Sequence, residues 1–148
     1  MTDKWTIRKA TSNDLPYFIV SLSQIHLNEF DMENFSVKYN KICSTRNYII
    51  AVAENELGNI IGCIIGEKID FHINNKKAIQ LKDFFVSPKY RKYHLADVLY
   101  AHVEAKAIQM GINNIEVLCN PVATTTQTFY LRKKFVADKK MYKKKICL

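Results

Sequence analysis

Apolar and polar positions alternate from Trp5 to Ala10, the two-residue period of a half-buried strand. The period then lengthens. Ser12 stands as a helix N-cap with Pro16 in the first turn, and Leu15, Phe18, Ile19, Leu22 and Ile25 recur along one helical face. A weaker helical pattern runs from Met32 to Cys43, with Phe35, Tyr39 and Ile42 in register. Tyr48–Ala53 and Ile60–Phe71 read as strands, and the Asn55–Asn59 turn with Gly58 between them predicts a hairpin. Ile79–Val86 reads as a further strand. Leu95–Met110 gives the clearest helix, with Leu95, Leu99, Val103 and Met110 periodic and Gly111 just past its end. Ile115–Cys119 predicts a strand, Ala123–Lys133 a helix and Lys139–Ile146 a last strand. The order β-α-α-β-β-β-α-β-α-β, without repeat or linker, points to one α/β domain over residues 1–148.

Composition narrows the class. A chain of 148 residues, 48% hydrophobic, is large enough for one ordinary core. It holds no apolar run of membrane-spanning length, and Met1-Thr2-Asp3-Lys4 lacks the apolar region of a signal peptide, so a cytoplasmic protein is expected. Cys43, Cys63, Cys119 and Cys147 are far apart with no C-x-x-C pair, which favours reduced thiols over zinc or a disulfide scaffold. The net charge of +8 is local: from Arg132 onward eight Lys and Arg face Asp138 alone. A lysine-protected edge strand accounts for that segment, while contact with an adenosine phosphate or a polyanion stays open.

The candidate chemistry begins where Phe84-Phe85-Val86 stops at Ser87-Pro88. A basic loop from Lys89 to His94 follows, and then a helix starts at Leu95. Strand, cationic loop and helix N-terminus together form an anion cradle, because unpaired N–H groups and the positive helix end both favour phosphate. The chain has four glycines and neither G-x-x-x-x-G-K-[ST] nor G-x-G-x-x-G. Instead, Arg91-Lys92-Tyr93-His94-Leu95-Ala96 resembles R-x-x-G-x-[GA], the coenzyme A pyrophosphate loop of the GNAT acetyltransferase superfamily. His94 stands where the family has glycine, at a φ > 0 position that histidine tolerates better than most residues. Phe129-Tyr130-Leu131-Arg132-Lys133-Lys134-Phe135 resembles the family's F-Y-x-x-x-G-F signature, with Lys134 replacing the glycine. The likeness extends from Ile7-Arg8-Lys9-Ala10 to Tyr142.

That resemblance implies a layered α/β (α+β) fold: a mixed, mostly antiparallel central sheet flanked by helices, with fourth and fifth strands splayed to admit a pantetheine arm. It implies acetyl-CoA as co-substrate, with backbone groups of Phe85 and Val86 on the pantetheine amides and Arg91, Lys92, Tyr93, His94, Leu95 and Ala96 around the pyrophosphate. Asn120 and Arg132 fall on the cofactor side too. Direct attack of an amine on the thioester needs a neutral amine and a proton for the departing thiolate. Tyr130 occupies the family's acid position, and a phenol near its reference pKa of about 10 is protonated at neutral pH. Asp83 corresponds to a carboxylate that either accepts the amine proton, directly or through water, or binds the ammonium group.

On the substrate side, Glu29-Phe30-Asp31 with Phe35 and Asn40, Phe71-His72 and the Phe129–Arg132 run are similar to aminoalkylphosphonate N-acetyltransferases. Glu29, His72 and Lys82 are the candidate substrate contacts, Lys82 as a cation for a phosphonate. Polyamine-acetylating relatives carry glutamate at the place of Lys82, which argues against a polycationic acceptor. Glu29, Asp31 and Glu33 otherwise read as a solvated helix start. His26 and His102 sit in helical patterns and read as surface or core-edge residues, and no i, i+4 histidine pair suggests a metal. An N-acetyltransferase acting on a small-molecule amine is therefore expected. A non-catalytic GNAT-fold protein and a basic nucleic-acid module using Lys139–Lys145 stay open as alternatives, and a homodimer is only a family habit.

Overall fold

A computed structural model describes residues 4–26, 29–71, 76–119, 124–138 and 142–146. The chain divides into two compact units, Met1–Val117 and Leu118–Leu148.

The first unit is a five-stranded sheet in the order β1-β2-β3-β4-β5, made of β1 (Trp5–Lys9), β2 (Tyr48–Asn55), β3 (Ile60–Phe71), β4 (Lys76–Val86) and β5 (Ile115–Val117). Neighbours pair antiparallel except β4 and β5, which run parallel. The β2–β3 hairpin closes as its turn chemistry predicts. Asn55 Oδ1 accepts from the N–H groups of Leu57 (3.1 Å) and Asn59 (2.9 Å), while Gly58 takes a φ of +82°.

Side-chain alternation gives the sheet two faces. Ile50, Val52, Cys63 and Ile65 pack with Phe18 of α1 (Leu15–His26) and Tyr39 of α2 (Met32–Ser44). On the other face, Leu95, Leu99 and Val103 of α3 (Leu95–Gln109) lie over Gly62 and Gly66. A Cβ at Gly62 would come within 3.0 Å of Leu99, so the helix and the sheet approach closely there, while at Gly66 it would meet Ile79 of the neighbouring strand at 2.7 Å.

Two local features were not anticipated. The first turn before α1 is a 3-10 turn over Ser12–Asp14, and its N-cap is Thr11, not Ser12. Asp14 decides this: its carboxylate accepts the Thr11 N–H at 2.8 Å and takes both Arg8 Nη groups at 2.8 and 2.9 Å. The second feature is a bulge in β4. Asp83 pairs with Ile65 and Leu81 with Gly66, leaving Lys82 as an extra residue.

β4 and β5 meet over three residues, where β5 begins and ends. Pairing runs only from Ile79↔Ile115 to Leu81↔Val117, while β4 continues to Val86. β5 is shorter than the predicted Ile115–Cys119. The second unit contains α4 (Thr124–Arg132). The expected last strand is not formed at residues 142–146, where every side chain is exposed and no sheet face is buried; residues 139–141 lie outside the described residues. No helix among the described residues is long and apolar enough to cross a membrane.

Candidate active site

The cradle follows directly from the end of β4. Ser87 N–H donates to Ile61 O at 2.9 Å, which keeps the chain on β3 as it leaves the strand. Pro88–Tyr93 then winds as a 3-10 helix, anchored by Tyr90, which is buried and accepts from Asn55 Nδ2 at 3.4 Å. Arg91 folds back, its Nε donating to Val86 O at 3.0 Å and its guanidinium lying 6.0 Å from the Phe85 ring. One of five guanidinium donors is thereby used to fix the loop, and Val86 O is already engaged from the loop side.

His94 sits at φ 60°, ψ 22°, the left-handed region, as its correspondence to a glycine predicts. It is the N-cap of α3. The first helical bond of α3 runs from Val98 N–H to His94 O at 3.2 Å, so Leu95 and Ala96 present first-turn N–H groups that have no intrahelical acceptor. Lys89, Arg91 and Lys92 add positive charge to this turn, and Asp97, 3.3 Å from His94 Nδ1, adds one negative charge.

A second feature of the first unit is a cleft of about 290 Å³ between the end of α1, the start of α2 and β4. It gathers Asp83, Glu29, Asp31, Lys38 and His26 around the apolar walls Leu22, Phe30 and Phe35. Asp31 also caps α2, accepting Asn34 N–H at 3.0 Å. His26 Nε2 lies 2.9 Å from Asp83 Oδ1. The structure thus brings Asp83 and Glu29 to one cleft. Lys82 is elsewhere: its ammonium bonds Gln80 and lies 3.5 Å from Glu67, and Lys38 is the lysine that lines the cleft. His72 and Asn120 lie outside the described residues. Sequence reasoning passed over His26 and Lys38. His26 looked like a surface residue of an amphipathic helix, and only the packing of α1 on β4 gives it a carboxylate partner.

In the second unit, Tyr130 is 6% exposed, with its ring edge-on to Phe129 at 5.3 Å and Phe135 at 5.1 Å. Burial, with a smaller contribution from nearby Cys119, pushes its pKa up to about 12. The phenol is therefore protonated at any physiological pH. Lys134, the residue that replaces the signature's glycine, has φ 69°. The Arg132 guanidinium lies 5.5 Å from the Phe129 ring.

The sequence matches the model of the acetyltransferase (GNAT) family over residues 15–135. The chain belongs to the GNAT acetyltransferase family. No curated protein matches it in sequence. Solved structures share the GNAT fold at low identity. An aminoglycoside N-acetyltransferase in complex with CoA superposes with a TM-score of 0.86 at 17% identity, covering 99% of this chain and 98% of the other. An aminoglycoside 6'-N-acetyltransferase from Acinetobacter baumannii gives 0.83 at 15%, with 97% and 99% covered. The glucosamine-6-phosphate N-acetyltransferase of Arabidopsis thaliana gives 0.80 at 21%, with 98% and 100% covered. The mixed sheet, parallel only at β4–β5 and flanked by helices, is the GNAT arrangement expected from the two sequence signatures.

Proposed function

We propose that this GNAT protein transfers the acetyl group of acetyl-CoA to a primary amine of a small molecule by direct attack, as one catalytic domain. The observation that carries the reading is the backbone of His94. Its left-handed conformation keeps the turn that glycine supplies in the family loop, so the anion cradle survives the substitution. Backbone groups of Phe85 and Val86 would meet the pantetheine amides. The N–H groups of the loop and of Leu95 and Ala96, with Arg91 and Lys92, would hold the pyrophosphate, and Arg132 would lie toward the cofactor. The bound thioester supplies an activated acyl group, and the protein's own groups handle the protons. Tyr130, kept protonated by burial, gives the leaving sulfur its proton.

The acceptor belongs in the cleft beside Asp83. Glu29, Asp31 and Asp83 suit an ammonium group, and Lys38 suits an acidic group on the same molecule. This pattern agrees with an aminoalkylphosphonate or another amine bearing an anionic group. Calorimetry with acetyl-CoA, followed by thiol release across aminoalkylphosphonates, amino-sugar phosphates, aminoglycosides and polyamines, tests the reading. Binding of acetyl-CoA with turnover of an amine bearing an anionic group is the expected result. Failure to bind acetyl-CoA refutes the cradle, and exclusive turnover of polyamines refutes the acceptor class.

A further inference from the structure

We propose that His26 is the group that takes the proton from the attacking amine, with Asp83 serving to hold its imidazole. This rests on the acetyl-transfer reading and replaces Asp83 as the direct base within it. His26 Nε2 is 2.9 Å from Asp83 Oδ1. A carboxylate only accepts, so Nε2 carries the hydrogen, and in the neutral ring Nδ1 keeps the lone pair. The partners come from separate elements, the last residue of α1 and the residue after the β4 bulge, 57 positions apart in sequence.

Burial assigns the roles. The Asp83 side chain is 18% exposed and that of His26 is 42% exposed, so the carboxylate is the inner member and the imidazole the outer one. Both line the cleft. The other charged groups there are Glu29 and Asp31, ahead of and at the cap of α2, and Lys38 on α2. Three carboxylates against one lysine suit a positively charged group arriving in the cleft, such as the ammonium of an acceptor. Asp83 also lies on the strand that ends at the cradle, about 10 Å before Val86 at extended-chain spacing.

The proton balance closes. A neutral amine attacks the thioester carbonyl, forming the C–N bond and leaving a positive nitrogen whose proton passes to His26 Nδ1. The C–S bond breaks with its electron pair on sulfur, and the sulfur takes the Tyr130 proton. Imidazolium and phenolate are then reset by exchange of one proton each with solvent.

His26→Gln keeps a donor toward Asp83 but accepts no proton, and His26→Ala leaves a gap for a small base. In His26→Gln, kcat should fall about 10²-fold or more, with acetyl-CoA affinity unchanged by calorimetry. Added imidazole should restore turnover to His26→Ala. Wild-type kcat in His26→Gln, or a loss in His26→Ala that imidazole does not relieve, overturns the assignment and returns the role to Asp83 or to water. If the wild-type protein releases no thiol with any amine, acetyl transfer itself is refuted and the dyad falls with it.

Discussion

Replacing Lys134 by glycine should stabilise the protein. Two helices here end in the same backbone motif with different residues at the left-handed position. At the end of α3, Ile112 N–H bonds Ala107 O at 2.9 Å and Gly111 N–H bonds Ile108 O at 3.0 Å, with Gly111 at φ 74°. At the end of α4, Phe135 N–H bonds Tyr130 O at 3.0 Å and Lys134 N–H bonds Leu131 O at 2.9 Å, with Lys134 at φ 69°. A β-carbon in that region costs about 1–2 kcal/mol, and glycine's extra freedom in the unfolded chain takes back about 0.5–1 kcal/mol. The net gain for Lys134→Gly is about 0.5–1 kcal/mol, or about 1–4 °C in Tm for a domain of this size. Gly111→Ala should lose at least as much; nothing lies within 4 Å of its Cβ position, so the cost is conformational and not steric. Urea unfolding followed by circular dichroism, read as midpoints at unchanged m, measures both. A lower midpoint for Lys134→Gly, or none lost in Gly111→Ala, would show that left-handed strain is not what separates the two helix ends.

Three further outcomes are expected. Tyr130→Phe should lower kcat about 10²–10⁴-fold with acetyl-CoA binding intact, and because burial holds the wild-type phenol near pKa 12, its ionisation should cause no alkaline loss of rate below about pH 11. A wild-type kcat in the variant, with chemistry rate-limiting, would remove Tyr130 as the acid. Arg91→Ala should weaken acetyl-CoA binding in calorimetry about tenfold or more, since it removes both a cation and the tie to Val86 O; unchanged affinity would place the pyrophosphate elsewhere. Asp14→Asn should cost about 2 kcal/mol, less than a fully buried pair because the Arg8 side chain is 34% exposed. Burial opposes ionisation of Asp14, but the Arg8 and Thr11 bonds outweigh it and hold its pKa below the ordinary carboxylate value. Its contribution is therefore full above that value and disappears as pH falls through the folded pKa, so the gap between wild type and variant in urea midpoints should close on acidification.

The sequence was most legible where one local rule acts alone. Helical periodicity located α3, turn chemistry closed the β2–β3 hairpin, and His94 in a glycine's place announced a left-handed residue before any coordinate did. Lys134, which also replaces a signature glycine, is left-handed too, an outcome not drawn from the sequence. Misreadings arose where a distant partner decides. Thr11 displaced Ser12 as cap because Asp14 is fixed by Arg8 from β1. Simple alternation would place Lys82 and Asp83 on opposite faces, yet the bulge turns Lys82 toward Glu67 and Asp83 toward His26, both on the α1–α2 side. His26 carried no local signal, since its role depends on how the last turn of α1 meets β4. The basic tail looked like a strand from composition, but Lys143-Lys144-Lys145 offers no apolar alternation to bury.

The bulge is also a matter of chain length more than of side chains. Removing Lys82 would leave Ile65 opposite Asp83 and Gly66 opposite Leu81, so every existing pair would survive. What would disappear is the bend, and with it the cation that meets Glu67. The bulge is thus specified by a count, one residue more on β4 than on β3, whatever side chain fills the extra position. Substitutions at position 82 are free to retune the charge that meets Glu67 while the pairing of β3 and β4 keeps its register. A one-codon deletion at the same place would straighten the strand and keep its ladder to β3 intact.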